Sequence, residues 1–205
     1  MSEGLRERKK QRTREQIIDA AMRLFAERGY HATTIADIAA AADVAPRTFF
    51  SYFPSKEAVV FHNVDRDLES LTSTLRDRPP AETAFDALRR WIEAMFEEWS
   101  TEEDEALLRK RLCREDEALA NFQGGMMARI HELLLDAIAR DLDEPIDALR
   151  PRLVAAATMA ALTSLEGSFD EAAEQRVSVG KDEALAVLDD AMLFLRGGLD
   201  ALQDT

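Results

Sequence analysis

The side chains with chemistry to offer are gathered early in the chain. Within residues 33–56, TTIADIAAAADVAPRTFFSYFPSK, Arg47 carries a guanidinium able to make a bidentate bond to guanine O6 and N7. Thr48 can meet a thymine methyl or a phosphate, and Tyr52 can donate to a phosphate. Lys56 brings an ammonium to the start of a following helix that Ser55 can cap. Just upstream, residues 5–14 (LRERKKQRTR) hold Arg6, Arg8, Lys9, Lys10, Arg12 and Arg14. That run either neutralises phosphates through counterion release or forms a solvated tail. All of this is the chemistry of recognition rather than of bond breaking. The chain has no nucleophile elbow, phosphate loop, HExxH or Cys/His cluster, so no catalytic residue is expected and the chain is not read as an enzyme. No metal or cofactor is expected either: the acidic stretch at residues 101–105 lacks the ligand spacing and turn glycine of a hard-cation loop. The single cysteine, Cys113, reads as a buried thiol in a reducing compartment.

The elements that must position these residues are short and well punctuated. Ile17, Ile18, Ala21, Leu24 and Phe25 recur on one helix face, predicting a helix over residues 13–28 that Gly29 stops. Thr34 and Asp37 fit a capping box, so a second helix starts there and buries Ile35, Ile38 and Ala39. Alanines at 39–42 allow close helix crossing, and Asp43 and Val44 make the turn. Pro46 suits the first turn of a third helix over residues 46–52, where its missing N–H costs nothing. Phe49 and Phe53, four apart, point inward, leaving Arg47, Thr48 and Ser51 outward; Phe50 fits either the core or the outer face. This is the pattern of a DNA-reading helix-turn-helix.

Composition agrees once it is divided. The 205 residues are 46% hydrophobic, ample for a core, and no apolar run reaches the roughly 18–20 residues of a membrane span, so a soluble cytoplasmic protein is expected. The net charge of −14 is uneven: residues 1–62 hold ten Lys/Arg against eight Asp/Glu, and the remainder sixteen against thirty-two. An acidic body cannot lie along DNA, which confines nucleic-acid contact to the amino-terminal quarter. The expected division is a DNA-binding domain at 1–55 and a helical body at 56–205, which the family resemblance described below makes an effector-binding and dimerisation domain.

In that body a long helix over residues 57–76 is expected to end at RDRPP, a hinge-like junction. The next helix, to about residue 99, carries Trp91, Met95, Phe96 and Trp99. Together with Met126, Met127, Ile130 and His131 on a later helix, this stripe fits either plain packing or an apolar ligand cavity, with His131 at its core or rim. Arg109 and Arg114 sit in a basic island explained either by exposed ion pairs or by an anionic ligand group. Two final helices, with Leu153, Ala156, Ala157, Ala160 and Ser164 on one and Leu185, Leu188, Met192, Leu195 and Leu199 on the other, are expected to pack across a twofold axis as a homodimer.

The first of these stretches resembles a known family. Gly29-Tyr30 followed by TTIADIAAAADVAPRTFFSYFPSKEAV, with Phe50, Phe53 and Lys56 in an aromatic-x-x-Phe-x-x-Lys pattern, resembles the amino-terminal domain of TetR-family transcriptional regulators over residues 10–60. The resemblance implies an all-α dimer with three DNA-binding helices per subunit and a larger effector-binding body. It assigns base or backbone contacts to Thr33, Thr34, Pro46, Arg47, Thr48, Phe50, Tyr52 and Lys56. Two departures stand out: Ala45 replaces the usual hydroxyl residue at the third helix cap, and Phe50 the usual tyrosine. More loosely, RPPAETAFDALRRWI, ALLRKRLCREDEAL and LDDAMLFLRGGL resemble the body of regulators related to the mycofactocin-associated regulator, described as binding acyl-CoA-like ligands. That would give the aromatic stripe an acyl chain and the Arg109–Arg114 island a phosphate head group. The function these resemblances imply is a repressor released from a palindromic double-stranded operator by a small hydrophobic or acyl-CoA-like effector. The alternative is a DNA-binding regulator whose body binds a protein partner.

Overall fold

The computed structural model describes residues 3–101, 103–174 and 181–203, with ten α-helices and no strand among them. They form two compact units, each with its own core.

The first unit joins residues 1–64 to residues 108–124. It holds α1 (Glu3–Arg28), α2 (Ile35–Ala41), α3 (Pro46–Phe49), α4 (Glu57–Val60), the second half of α7 (Glu103–Glu115) and the start of α8 (Glu117–Leu142). Ile17, Ala21, Phe25, Ile38 and Phe49 are fully buried, as the periodicity of the first three helices requires, and Val59 and Val60 of α4 join them. Leu112 and Leu119 complete the same core at 1% and 0% exposure. Each such leucine contributes ~2 kcal/mol by leaving water. This partition takes in residues 108–124, which a linear division at residue 55 leaves in the body.

Local chemistry sets the boundaries. Thr34 Oγ1 accepts the Asp37 N–H while the Asp37 carboxylate accepts the Thr34 N–H, completing the capping box and starting α2. Gly29 (φ 82°) and Asp43 (φ 54°) take the left-handed conformation that ends α1 and turns α2 into α3. α1 begins ten residues earlier than its apolar pattern, because the preceding Arg, Lys, Gln and Glu are good helix formers with nothing to bury. The expected single helix over 57–76 is broken at 61–63 into α4 and α5 (Val64–Arg76). Val59, Val60 and Phe61 are all buried, and three consecutive residues cannot share one helix face.

The second unit comprises residues 65–107 and 125–205: most of α5, α6 (Ala84–Thr101), the first part of α7, the rest of α8, α9 (Leu149–Glu174) and α10 (Lys181–Gln203). Leu71, Leu75, Leu88, Leu134, Ile138, Ala155 and Leu188 lie at its centre. The RDRPP junction is pinned rather than hinge-like. The Arg78 side chain, 9% exposed, donates to the carbonyls of Leu75, Glu82 and Ala137 and to the Asp141 carboxylate. The last helix also corrects the expected twofold face. Leu185, Leu188, Met192 and Leu195 are buried in this unit's own core, and Leu199 lies outside the described side chains. The large apolar residues exposed on α10, among the described side chains, are instead Val187, Leu193 and Phe194, the last 79% exposed. On α9, Leu153, Ala156, Ala157, Ala160 and Ser164 are exposed as expected, joined by Leu149. No described helix is long and apolar enough to cross a membrane.

Candidate nucleic-acid interface

α3 carries the candidate reading residues. Ala45 precedes it without a side-chain cap, Pro46 fills its first turn, and Phe49 anchors it in the core at 0% exposure. After Phe49 the chain continues in turns through Tyr52, so the α-helical part is shorter than expected. Pro46, Arg47 and Phe50 are exposed and Thr48 half-exposed. The Arg47 guanidinium has no hydrogen-bond or ion-pair partner among the described residues, which leaves its donor fork open to a base edge. Phe50 is 56% exposed, packing edge-on against Phe49, so of its two readings the outer face is the one observed. Tyr52 is half-buried against the core with its ring at the rim.

Two residues of the set are engaged elsewhere. Thr33 is 1% exposed, and its hydroxyl donates to Gly29 O at 2.9 Å and to Leu24 O at 3.3 Å. A hydroxyl buried in this way cannot touch DNA; it ties the approach to α2 back to the end of α1. The Lys56 ammonium donates to Tyr30 O at 2.7 Å and Thr33 O at 3.0 Å, 3.8 Å from the Tyr30 ring centroid. Two of its three donors thus tie the α1–α2 loop to the start of α4. Thr34 is exposed, but its hydroxyl is engaged in the capping box.

The electrostatics around Lys56 follow from that burial. Desolvation lowers the Lys56 pKa against the opposing pull of Glu57 and Asp116. Burial would raise Glu57, but hydrogen bonds from Ser55, its own N–H and Tyr30 outweigh it and hold the carboxyl below its ordinary range. The Tyr30 phenol donates to Glu57 at 2.7 Å, and burial together with that bond raises its pKa. Sequence reasoning missed this cluster and the residue that joins it from far along the chain. Asp116, 5% exposed, caps α8 by accepting the Leu119 N–H, and His31 Nε2 lies 3.1 Å from its other oxygen. The local signal for the cap is present as Asp-x-x-Leu ahead of an apolar run; the pairing with His31 has none.

The candidate ligand residues do not all fall in one unit. Trp91, Met95, Met126, Met127, Ile130 and His131 are half-buried in the second unit, and the side chains of Phe96 and Trp99 lie outside the described residues. Trp91 Nε1 donates to Ser70 Oγ at 3.1 Å, tying α6 to α5, while His131 Nε2 is buried with no hydrogen-bond partner among the described residues. Arg109 and Arg114 belong to the first unit, where Arg109 Nε donates to Val60 O at 3.1 Å. A polar depression lined by Asp136, Arg140, Asp143, Glu144 and Ile146 includes none of the candidate ligand residues. Cys113 is half-buried, and burial pushes its thiol pKa up, consistent with a packing role.

The family model described as Bacterial regulatory proteins, tetR family, covers residues 17–62, and that described as MftR C-terminal domain covers residues 82–199. The HTH-type transcriptional regulator TcmR of Streptomyces glaucescens is 44% identical over 85 residues, which are 42% of this chain but only 38% of that protein. Among solved structures, the complex of SmeT, repressor of a Stenotrophomonas maltophilia multidrug efflux pump, with triclosan has a TM-score of 0.64 at 22% identity, covering 88% of this chain and 90% of that one. Bacillus subtilis FadR in complex with stearoyl-CoA has a TM-score of 0.59 at 20% identity, covering 88% and 96%. At these identities the two structures establish a shared fold.

Proposed function

This chain belongs to the TetR family of bacterial regulatory proteins, with an MftR-type C-terminal domain, and on that premise we propose that it is a repressor released from a palindromic operator by a small hydrophobic or acyl-CoA-like effector. That it is a helix-turn-helix transcriptional regulator and not an enzyme follows from the family itself. The observation that carries the proposal is the open Arg47 fork beside exposed Pro46 and Phe50 on a helix whose opposite side, Phe49, is sealed in the core. Arg47 and Thr48 read bases, and Pro46, Phe50 and Tyr52 pack on or donate to the backbone. Lys56 ties the α1–α2 loop to the start of α4 through Tyr30 and Thr33, and Thr34 caps α2.

A reader of this size needs two copies on successive major grooves about 34–36 Å apart. The exposed apolar sets of α9 and α10, with Leu193 at 70% and Phe194 at 79%, support a homodimer formed there. For the effector, half-buried Trp91, Met95, Met126, Met127 and Ile130 offer an apolar wall, with the unpartnered Nε2 of His131 available to a polar group. Triclosan and stearoyl-CoA, held by solved proteins of this fold, are the two natural probes.

Purified protein should retard DNA from upstream of its own gene, and stearoyl-CoA or triclosan should release it, with effector–DNA coupling of about 1–3 kcal/mol. Retention of the DNA at saturating concentrations of both compounds would remove the small-molecule reading and favour a protein partner for the body.

A further inference from the structure

We propose that the amino-terminal extension of α1 is a second DNA-binding element that grips the phosphate backbone, an inference resting on the DNA-reading role of α3. Residues 4–12 are helical and exposed, and burial on α1 becomes complete only at Ile17. At ~1.5 Å per residue this arm reaches about 13 Å beyond the folded unit. It carries Arg6, Arg8, Lys9, Lys10 and Arg12 against one acid, Glu7.

The charge balance of the reader shows why the arm is needed. Residues 15–62 contain four cations, Arg23, Arg28, Arg47 and Lys56, against six acids. Lys56 is bound to two backbone carbonyls, which leaves the helix-turn-helix proper with net negative charge and little to hold a polyanion. Electrostatic attraction to phosphates provides most non-specific affinity for DNA, and here the cations able to provide it are concentrated in the arm.

Its place in the first unit also fits. Arg14, the last cation of the run, donates to His62 O and lies over the Phe53 ring, 5.2 Å from the centroid. Phe53 closes the segment that begins with α3, so the residue at the base of the arm is tied to that segment within the same unit. A polyanion is the occupant that five cations against one acid select, and in a unit that carries a helix-turn-helix that polyanion is DNA. The strongly acidic remainder of the chain is the competing partner, and it would compete with DNA rather than aid it.

The test uses the full-length protein and a variant with Arg6→Gln, Arg8→Gln, Lys9→Gln, Lys10→Gln and Arg12→Gln. Binding is measured by fluorescence anisotropy on the duplex from upstream of the gene and on a random-sequence duplex, from about 50 to about 200 mM salt. The glutamine variant should bind both duplexes at least ~10-fold more weakly at about 0.1 M salt, with a log K against log salt slope shallower by ~2 or more. The ratio between the two duplexes should be unchanged, since phosphate contacts carry no sequence information. A charge-preserving variant, Arg6→Lys, Arg8→Lys and Arg12→Lys, should keep the wild-type slope. Equal affinity and slope in the glutamine variant, or tighter binding as expected if the arm docks on the acidic body, overturns the proposal. Failure of the unaltered protein to bind either duplex at low salt overturns the DNA-reading role itself, and the arm with it.

Discussion

The ammonium of Lys56 lies 3.8 Å from the centroid of the Tyr30 ring and donates to the same residue's carbonyl oxygen at 2.7 Å. A second bond, to Thr33 O at 3.0 Å, makes this lysine a clamp across the α1–α2 loop. The loop that leads into α2 is therefore held by a residue whose type alone would mark it as a phosphate ligand.

Replacing that lysine separates the two roles. Lys56→Met keeps much of the stem but removes two charge-assisted hydrogen bonds and the contact with the ring, so it should destabilise the protein by about 1–3 kcal/mol. Chemical denaturation measures this directly. The salt dependence of DNA binding should change little; an unchanged midpoint combined with a slope shallower by ~1 would instead make Lys56 a phosphate ligand.

Glu57 gives the first unit a pH dependence of known sign. Its folded pKa is held below the ordinary value of 4.5, so the unfolded chain binds the proton more tightly. The stability it contributes is present above about pH 4.5 and is lost as the pH falls through the lower folded value. Glu57→Gln should lower the urea midpoint at pH 7, and the gap from wild type should narrow below about pH 4. A gap that stays constant across that range would show that the Tyr30–Glu57 hydrogen bond acts independently of charge.

Gly124 and Gly125 sit inside α8, and a Cβ at either position would meet nothing within 4 Å. Neither has a positive φ. Alanine at each position should therefore stabilise the protein by about 0.5–1 kcal/mol, because it limits the unfolded chain without crowding the folded one. A lower melting temperature in either alanine variant would show a constraint on α8 that its immediate surroundings do not contain.

Features that depend on neighbours in sequence were legible there. The Thr34–Asp37 box, the Gly29 stop, the Asp43 turn and the inward pair Phe49 and Phe53 all act over three or four residues, and their geometry is fixed by residue type. What escaped depends on closure of the chain. His31 meets Asp116, Lys56 reaches back to Tyr30 and Thr33, and Leu112 and Leu119 fill a core begun at Ile17. The break at 61–63 was hidden because no glycine or proline marks it; it arises from burial of Val59, Val60 and Phe61 in succession. Thr33 and Thr34 show the same limit within the candidate interface. Two adjacent threonines look alike in sequence, yet one is sealed at 1% exposure and the other caps α2 at the surface. On α10 the periodicity picks out Leu185, Leu188, Met192 and Leu195 as one face, but only the packed unit shows that this face meets its own core while Leu193 and Phe194 face out.

The central claim is that Arg47 reads sequence from α3, and the ratio of affinities for the upstream duplex and a scrambled duplex tests it most directly. Arg47→Ala should reduce that ratio by about 1–3 kcal/mol, roughly 5- to 150-fold, while affinity for the scrambled duplex falls far less. A variant that keeps the wild-type ratio, with both affinities unaltered, would contradict the assignment of Arg47 as the reader.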